Sequence, residues 1–121
     1  MATSQVHNIH AILKSLDEHW SPRTVSVVNE YDVRVVKVAG EFTRHSHPET
    51  DEFFLVLSGR LTIRMDEGDV VLDAGDCYVV PRGRMHQPCA DVVTEVLLFE
   101  PSATVNTGDT PSKLTAQRRV V

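Results

Sequence analysis

Seven short runs of β-branched and aromatic residues follow one another between Thr24 and Phe99, and this succession constrains the fold more than any other feature. Turn-forming residues separate the runs, so each has the length of a single strand. Such a succession predicts an all-β domain, either a sandwich or a barrel, over about residues 24–100. The runs are Thr24–Val28, Val33–Val38, Phe53–Leu57, Leu61–Met65, Val70–Leu72, Cys77–Val80 and Val92–Phe99.

The pattern within and between the runs adds detail. Apolar and polar residues alternate in Leu61–Met65, which predicts a strand with one buried face. The run Val92–Phe99 is almost continuously apolar, which is typical of a strand covered on both faces. The turn residues Ser58–Gly59 and Glu67–Gly68 predict two successive hairpins.

The two ends of the chain differ from the strand region. Apolar residues recur at helical spacing within residues 8–16, and Asn8 is a suitable N-cap, so a short amphipathic helix is predicted there. Residues 102–121 are rich in Thr, Ser, Gly and Pro. They predict an irregular tail that wraps the domain or a neighbour, or else a disordered terminus. The length of 121 residues fits a single domain, 1–121.

Composition excludes several classes of protein. The net charge is −5 and no basic stripe occurs, which argues against a nucleic-acid or anionic-membrane partner. No apolar stretch approaches the roughly 18–20 residues of a membrane span, and Met1–His10 lacks the pattern of a signal peptide. The two cysteines, Cys77 and Cys89, do not form a disulfide framework. We therefore expect a small, acidic, soluble domain of the cytoplasm.

Two histidines at i and i+2, His45 and His47, are the first candidates for chemistry. On an extended strand these positions share a face, so both imidazoles can converge on one point. Glu52 opens the apolar run that follows, which places a carboxylate at the start of a buried strand. Buried carboxylates are rare unless they are paired or bound to a cation. Taken alone, each of these residues is more often solvated than bound to a metal.

A second segment, Gly75–His86, makes a metal site the favoured interpretation of these residues. Pro81 and Gly83 are spaced for a type I turn that would reverse the strand and present His86 on the next one. In an antiparallel barrel, His86 could then face His45 and His47 across the interior. Three imidazoles and a carboxylate define a site for a transition metal such as Zn, Fe, Mn, Ni or Cu.

The two segments resemble the motifs of the cupins, a family of small β-barrels. Its first motif is usually written G-x5-H-x-H-x3,4-E-x6-G and its second G-x5-P-x-G-x2-H-x3-N. The matching residues are His45, His47, Glu52, Gly59, Gly75, Pro81, Gly83 and His86. Ala39 and Ala90 replace the leading Gly and the final Asn, and neither position is a ligand in the family pattern.

This resemblance covers residues 40–90 and implies a double-stranded β-helix, or jelly-roll barrel, preceded by the short helix. It also implies that one divalent metal is held by His45, His47, Glu52 and His86. The chain is further similar to small single-domain bacterial cupins, often labelled mannose-6-phosphate-isomerase-like, which share its segments Asp17–Arg23 and Asn106–Asp109. Family kinship of this kind identifies a site and does not identify a reaction.

Several other residues can be assigned an environment. We expect Phe54 and Val56, which share strand parity with Glu52, to wall the metal pocket, together with Tyr78 and Met85. Cys89 and Cys77 are expected to be packed in the core, although Cys89 could instead line the pocket as a reactive thiol. Trp20 is expected to anchor the N-terminal arm. Four arginines are expected on solvated strand faces, where they could also meet an anionic substrate; they are Arg34, Arg44, Arg64 and Arg84.

Four protein ligands leave two open positions on a six-coordinate metal. The main functional hypothesis is therefore a metal-dependent enzyme acting on a small oxygen-rich molecule. It would be a dioxygenase with a redox-active metal, or a Lewis-acid isomerase or cyclase with Zn, and Glu52 would serve as catalytic base. The alternative is a non-enzymatic sugar- or small-molecule-binding module with a structural metal. A homodimer is expected in either case, with Thr24–Val28 and the N-terminal arm covering a neighbour's sheet.

Overall fold

The computed structural model describes residues 5–121, so the first four residues of the expected domain 1–121 lie outside the described residues. The described part of the chain has one helix and seven strands in antiparallel pairings, which confirms the all-β prediction. The elements are α1 (Ile9–Ser15), β1 (Arg23–Val28), β2 (Tyr31–Glu41), β3 (Glu52–Ser58), β4 (Arg60–Met65), β5 (Val70–Asp73), β6 (Cys77–Val80) and β7 (His86–Pro101).

Strand β7 organises the fold because it belongs to two groups of strands. It pairs with β2 along almost its whole length, from Tyr31↔Pro101 to Glu41↔Cys89. Its second half also pairs with β3, in the order β1-β2-β7-β3-β6, while its first half pairs with β4, which in turn pairs with β5. The strand begins at His86, whereas the sequence predicted a start at Val92. The prediction missed the first six residues because they include few of the β-branched side chains that are typical of a strand.

One of the two predicted hairpins is wrong. Strands β4 and β5 form a hairpin as predicted, but β3 and β4 do not pair with each other, since each pairs with a different half of β7. Gly59 lies at the corner between them, with a φ of +88°. A Cβ atom there would lie 2.4 Å from Oγ1 of Thr94, so this corner requires glycine.

The core lies between the two groups of strands. Inward-facing aliphatic and aromatic side chains from β2, β3, β4 and β7 form its largest cluster, which includes Val36, Phe54 and Val96. Helix α1 covers the outer face of β2, where Leu13 packs against Val35. Both of these side chains are fully buried, which stabilises the fold by about 1.5–3 kcal/mol each. Asn8 caps the helix as predicted, with its side chain accepting a hydrogen bond from the amide of Ala11.

Two predictions about burial are wrong. Val92 and Val93 are exposed, so the continuous apolar run of β7 is not covered on both faces throughout. Cys77 is also exposed, whereas Val80, three residues later, is buried. The short strand β6 turns only one face to the core, and Cys77 lies on the other. Cys89 is buried as predicted, and burial raises the pKa of its thiol, which disfavours the reactive thiolate.

The tail 102–121 lies along its own domain. Val120 forms a parallel bridge with Thr24 on the edge of β1. Arg118 forms an ion pair with Asp32, whose side chain is fully buried. Burial alone would raise the pKa of Asp32, but donors that include Arg118 and Ser102 hold it well below its usual value. The tail therefore supplies part of the hydrogen bonding that a buried carboxylate needs.

Within residues 5–121, no helix has the length and apolar character needed to cross a membrane.

Candidate metal centre

His45 and His86 are direct neighbours, and they do not face each other across the interior as expected. They form an isolated antiparallel bridge in which each backbone amide donates to the other's carbonyl, at 3.0 and 2.8 Å. His86 is the first residue of β7, whereas His45 lies in the loop between β2 and β3 rather than on a regular strand. The bridge places the two ring centroids 4.3 Å apart.

His47 and Glu52 complete a buried cluster with these two histidines. The Nε2 atom of His47 lies 3.2 Å from Nε2 of His45 and 3.4 Å from Oε2 of Glu52. Oε1 of Glu52 lies 3.2 Å from Nε2 of His86. One donor atom from each residue lies within 4.8 Å of the others, and all four residues are buried. The sequence therefore identified a set of four residues that the fold brings together.

The turn that precedes His86 also supports His47. The amide of Gly83 donates to the carbonyl of His47 at 3.0 Å, and the amide of Arg84 donates to the carbonyl of Pro81. Pro81 is thus the first residue of the turn and Gly83 the third, with a φ of +78°. That value excludes the predicted type I turn, because the third residue of a type I turn has a negative φ.

Backbone carbonyls determine the tautomers of two rings. Nδ1 of His45 lies 2.7 Å from the carbonyl oxygen of Thr43, and Nδ1 of His86 lies 2.9 Å from that of Arg84. A carbonyl can only accept, so both Nδ1 atoms carry a proton. In the neutral rings the lone pairs are then on Nε2 and point into the cluster. Histidines that bind metals are commonly held in this way.

The donor set fits a metal cation. The Nε2 lone pair of His86 faces a carboxylate oxygen, and that of His45 faces another imidazole nitrogen, so a cation is needed between them. A proton on His45 is disfavoured, because burial and the neighbouring His86 lower its pKa to about 4. Two adjacent ligands of a six-coordinate ion, at bond lengths of about 2.1 Å, lie about 3.0 Å apart. The observed separations of 3.2–3.4 Å are close to this value.

A second carboxyl group lies behind Glu52. Glu100 is buried, contacts Glu52 and accepts a hydrogen bond from Arg34 at 2.9 Å. Burial and the charge of Glu52 raise the pKa of Glu100 well above its usual value. For Glu52, burial would also raise the pKa, but the contacts with the imidazoles of His47 and His86 outweigh it and hold the pKa below its usual range. Glu52 is therefore the ionised member of the pair.

Arg34 is not on a solvated strand face, which corrects the prediction. It is buried between Asp32 and Glu100 and also donates to the carbonyls of Ser102 and Thr104. Asp32 and Arg34 share the inward parity of Val36 on β2, so their strand positions already favoured burial. The other three arginines are exposed and pair with surface carboxylates, as expected; they are Arg44, Arg64 and Arg84.

The tail clamps the segment that holds the two loop histidines. The carboxylate of Asp109 accepts from the amide and the hydroxyl of Ser46, both at 3.0 Å, and the Asp109 amide donates to the Ser46 carbonyl. A Cβ atom on Gly108 would lie 2.1 Å from that carbonyl oxygen. The close approach thus depends on glycine at this position. Ser46 lies between His45 and His47, so the clamp fixes the backbone of both.

We expect Asp109→Ala to weaken metal binding while the fold persists. Loss of two hydrogen bonds to Ser46 frees the His45–His47 backbone, and loss of a partner that orients a ligand typically lowers metal affinity by about 10–100-fold. Competition titration with a metal indicator would measure the change. Asp73→Ala removes an exposed carboxylate and is the matched control. An affinity of the Asp109 variant equal to that of the wild type would contradict this role.

An apolar cavity of about 440 Å³, including its open side, lies beside the cluster. His45 and Glu52 line one part of it, and Phe54 lines another, as the sequence predicted. Val56, Tyr78 and Met85, the other expected pocket residues, are not among its lining residues. Val56 is fully buried in the core, and the Tyr78 hydroxyl lies 4.0 Å from the sulfur of Met65.

Trp20 both anchors the N-terminal arm and lines this cavity. Its indole N–H donates to the carbonyl of Ala39 at 2.9 Å, which agrees with the predicted anchoring role. Its ring stacks on Phe42 with centroids 4.6 Å apart, and Phe42 meets the edge of His45 at 5.5 Å. Trp20 and Phe42 lie outside the predicted strand runs, so this arrangement could not be predicted from the sequence.

Known protein families, sequences and solved structures include several that are similar to this chain. A sequence model of the Cupin domain family matches residues 32–99. The uncharacterized protein YdbB of Bacillus subtilis (strain 168) is 36% identical over 98 residues, which are 80% of this chain and 87% of YdbB. A crystal structure of a cupin-2 domain containing protein from Shewanella frigidimarina is 38% identical with a TM-score of 0.77, covering 79% of this chain and 94% of that one.

A more distant solved structure is that of a protein named as an enzyme. Hydroquinone 1,2-dioxygenase from Sphingomonas sp. TTNP3, with 4-hydroxybenzoate bound, is 23% identical with a TM-score of 0.71. The match covers 80% of this chain and 32% of that protein. At this level of identity the likeness shows a common fold alone.

Proposed function

The chain belongs to the Cupin_2 domain family, and from this premise we propose that it is a metal-dependent enzyme acting on a small molecule. His45, His47, Glu52 and His86 would hold one divalent transition metal. The substrate would enter the adjacent cavity and present an oxygen atom to the metal.

One observation carries this proposal: the donor cluster opens onto a cavity. His45 and Glu52 belong to the cluster and also line the apolar cavity, so a molecule in the cavity is in contact with the site. A purely structural metal needs a closed shell of ligands and no adjoining space.

The identity of the metal would decide the reaction. Bound Fe, Mn, Ni or Cu would supply redox chemistry suited to dioxygenation, and a protein named as a dioxygenase shares the fold. Bound Zn would supply a Lewis acid for isomerisation or cyclisation. In both cases the chain's own groups hold and orient the substrate, and the apolar walls exclude water.

Glu52 would be a ligand in either reaction, and its role as catalytic base is a separate proposal. An efficient base has a pKa near the working pH, whereas the contacts with His47 and His86 lower that of Glu52. For Glu52 to accept a proton, these contacts would have to weaken when substrate binds. Substitution of Glu52 distinguishes the two roles and is treated in the Discussion.

We expect the purified chain to bind one metal ion, and a redox-active metal to support oxygen uptake. The metal-stripped protein would be reloaded with Fe(II), Mn, Ni, Cu or Zn in turn and tested with small phenols and cyclic diketones. An oxygen electrode detects dioxygenation, and chromatography detects isomers or cyclised products. The stripped protein is the control. Ligand binding without turnover under any metal would support the alternative, a non-enzymatic binding module, and would contradict the proposal.

We also propose a homodimer formed through the free edge of β1. Strand β1 lies at the edge of its sheet, and the tail covers this edge only near Thr24. Val27 and Val28 remain about half exposed. An unprotected apolar edge favours pairing with a second copy. Light scattering should give twice the chain mass of 13.5 kDa, and Val27→Lys should reduce it. A wild-type mass of one chain would contradict the dimer.

A further inference from the structure

We infer that the cavity accepts a small, uncharged and largely apolar molecule of about one ring, with an oxygen donor at one end only. This inference rests on the proposed function and narrows its substrate class. It differs from the oxygen-rich substrate expected from the sequence, because the cavity offers polar contacts only where it meets the metal cluster.

The walls of the cavity are aliphatic and aromatic. Inward-facing side chains of β2, β4 and β7 supply most of the surface, and Pro22 and the rings of Trp20, Phe42 and Phe54 supply the rest of the apolar lining. Apart from His45 and Glu52, Asn106 is the one polar side chain that lines the cavity in the described residues.

Both polar atoms of the Asn106 side chain already have partners within the protein. The side-chain nitrogen donates to the carbonyl of Leu114 at 2.9 Å, and the side-chain oxygen accepts from the amide of Ala116 at 2.9 Å. Both contacts hold the tail in place. Hydroxyl groups on the far side of a bound molecule would therefore be buried without a partner, and each such group weakens binding.

No lysine or arginine lines the described part of the cavity. Arg34 lies on β2 with the lining residues Val36 and Val38, but its guanidinium is occupied by Asp32, Glu100 and two tail carbonyls. A carboxylate, phosphate or sulfonate on the substrate would have no cation from the protein to offset its desolvation. Anionic sugars are disfavoured for both reasons, since they combine charge with several hydroxyls.

The size of the cavity limits the ligand to about one ring. The space of about 440 Å³ includes its open side, so the enclosed part of the cavity is much smaller. A single six-membered ring is therefore the largest unit proposed for it, with its oxygen directed to the part lined by His45 and Glu52.

Four probes test this inference on the zinc-loaded chain, because zinc binds oxygen donors and is not redox-active, so it does not oxidise alcohols or phenols. Cyclohexanol and phenol each have one ring and one hydroxyl. Myo-inositol has the cyclohexanol ring with a hydroxyl on every carbon, and 4-hydroxybenzenesulfonate adds a fixed charge opposite the hydroxyl of phenol. Isothermal titration calorimetry would measure the four affinities. We expect cyclohexanol to bind at least tenfold more tightly than myo-inositol, and phenol at least tenfold more tightly than its sulfonate.

A cavity-filling variant locates the binding. Val96 is buried and lines the cavity, so Val96→Phe should occupy the space of the ligand ring. Phenol affinity should fall at least tenfold while zinc content stays at one ion per chain. Val93→Phe makes the same change on the exposed surface of β7 and should alter neither quantity. If Val96→Phe does not fold, the ranking of the four probes on the wild type still decides.

The outcomes separate this inference from the proposed function. A wild-type chain that binds no zinc would overturn the proposed function itself. Full zinc loading with myo-inositol or the sulfonate bound as tightly as its partner probe would overturn the inference and leave the metal site standing. Full loading without binding of cyclohexanol or phenol would also overturn it, as would unchanged phenol affinity in a folded Val96→Phe chain.

Discussion

Replacement of His47 by Ala should lower the metal content of the purified chain by well over tenfold. His47 contacts both His45 and Glu52 through Nε2, so its removal takes away a central donor of the cluster. Loss of an outer partner of a ligand already lowers metal affinity by about 10–100-fold, and loss of the ligand itself should exceed this. Elemental mass spectrometry after gel filtration measures the metal-to-protein ratio.

The fold should survive this substitution. His47 lies in the loop before β3, outside the named strands, and the main core cluster does not include it. Circular dichroism should therefore match that of the wild type. His10→Ala removes an exposed histidine from α1 and serves as the control, with unchanged metal content. Full metal loading of the His47 variant would remove this residue from the set of ligands.

Glu52→Gln should retain much of the metal and lower turnover by about 10²–10⁴-fold, the usual contribution of a positioned acid–base group. The amide keeps the size of the side chain and one oxygen donor but removes the charge and the basicity. In the wild type Glu52 is ionised, because the neighbouring imidazoles of His47 and His86 hold its pKa low. Turnover measured at equal metal loading separates a lost base from a lost ligand.

The control for this variant is Glu49→Gln, which makes the same change on an exposed side chain in the loop that precedes β3. It should leave turnover and metal content unchanged. If Glu52→Gln turns over as fast as the wild type at equal loading, Glu52 is a ligand and nothing more. If the substitution shifts only thermal stability and leaves ligand affinity unchanged, the metal is structural.

The members of the metal cluster were predictable because two kinds of information agreed. The spacing of His45, His47 and Glu52 is local, and the spacing around Pro81 places His86 at the start of a strand. An antiparallel fold then brings the two segments together through the bridge between His45 and His86. The relative positions of the four side chains were not predictable from the sequence. They depend on the pairing of β7, whose first half pairs with β4 and whose second half pairs with β3.

The groups that support the cluster were much less visible in the sequence. Asp109 accepts hydrogen bonds from Ser46, which is 63 residues away in the sequence. Arg34 donates to Glu100, which is 66 residues away. Such contacts depend on where the tail and β7 come to lie, and no local period indicates this. Asp109 belonged to a segment shared with similar proteins, which identified the residue but not its role.

Charged residues at inward positions also misled the sequence-based assignment of Arg34. An isolated arginine in a strand is usually solvated, because burial of its charge requires partners. Here the partners are Asp32 on the same strand and Glu100 on β7, which pair in register across the sheet. The sequence does not reveal that Asp32 on β2 lies opposite Glu100 on β7. Without this pairing, the contact between the three charged side chains could not be predicted.

Trp20 gives the chain an optical reporter of its own site. It is the single tryptophan of the sequence, so the fluorescence excited at the red edge of the protein absorption band comes from one indole. That indole stacks on Phe42, which in turn touches the ring of His45, and it also lines the cavity. A paramagnetic ion in the cluster should quench the emission, and displacement of water from the cavity should shift it to the blue. Occupancy of both sites can thus be followed in real time without any label.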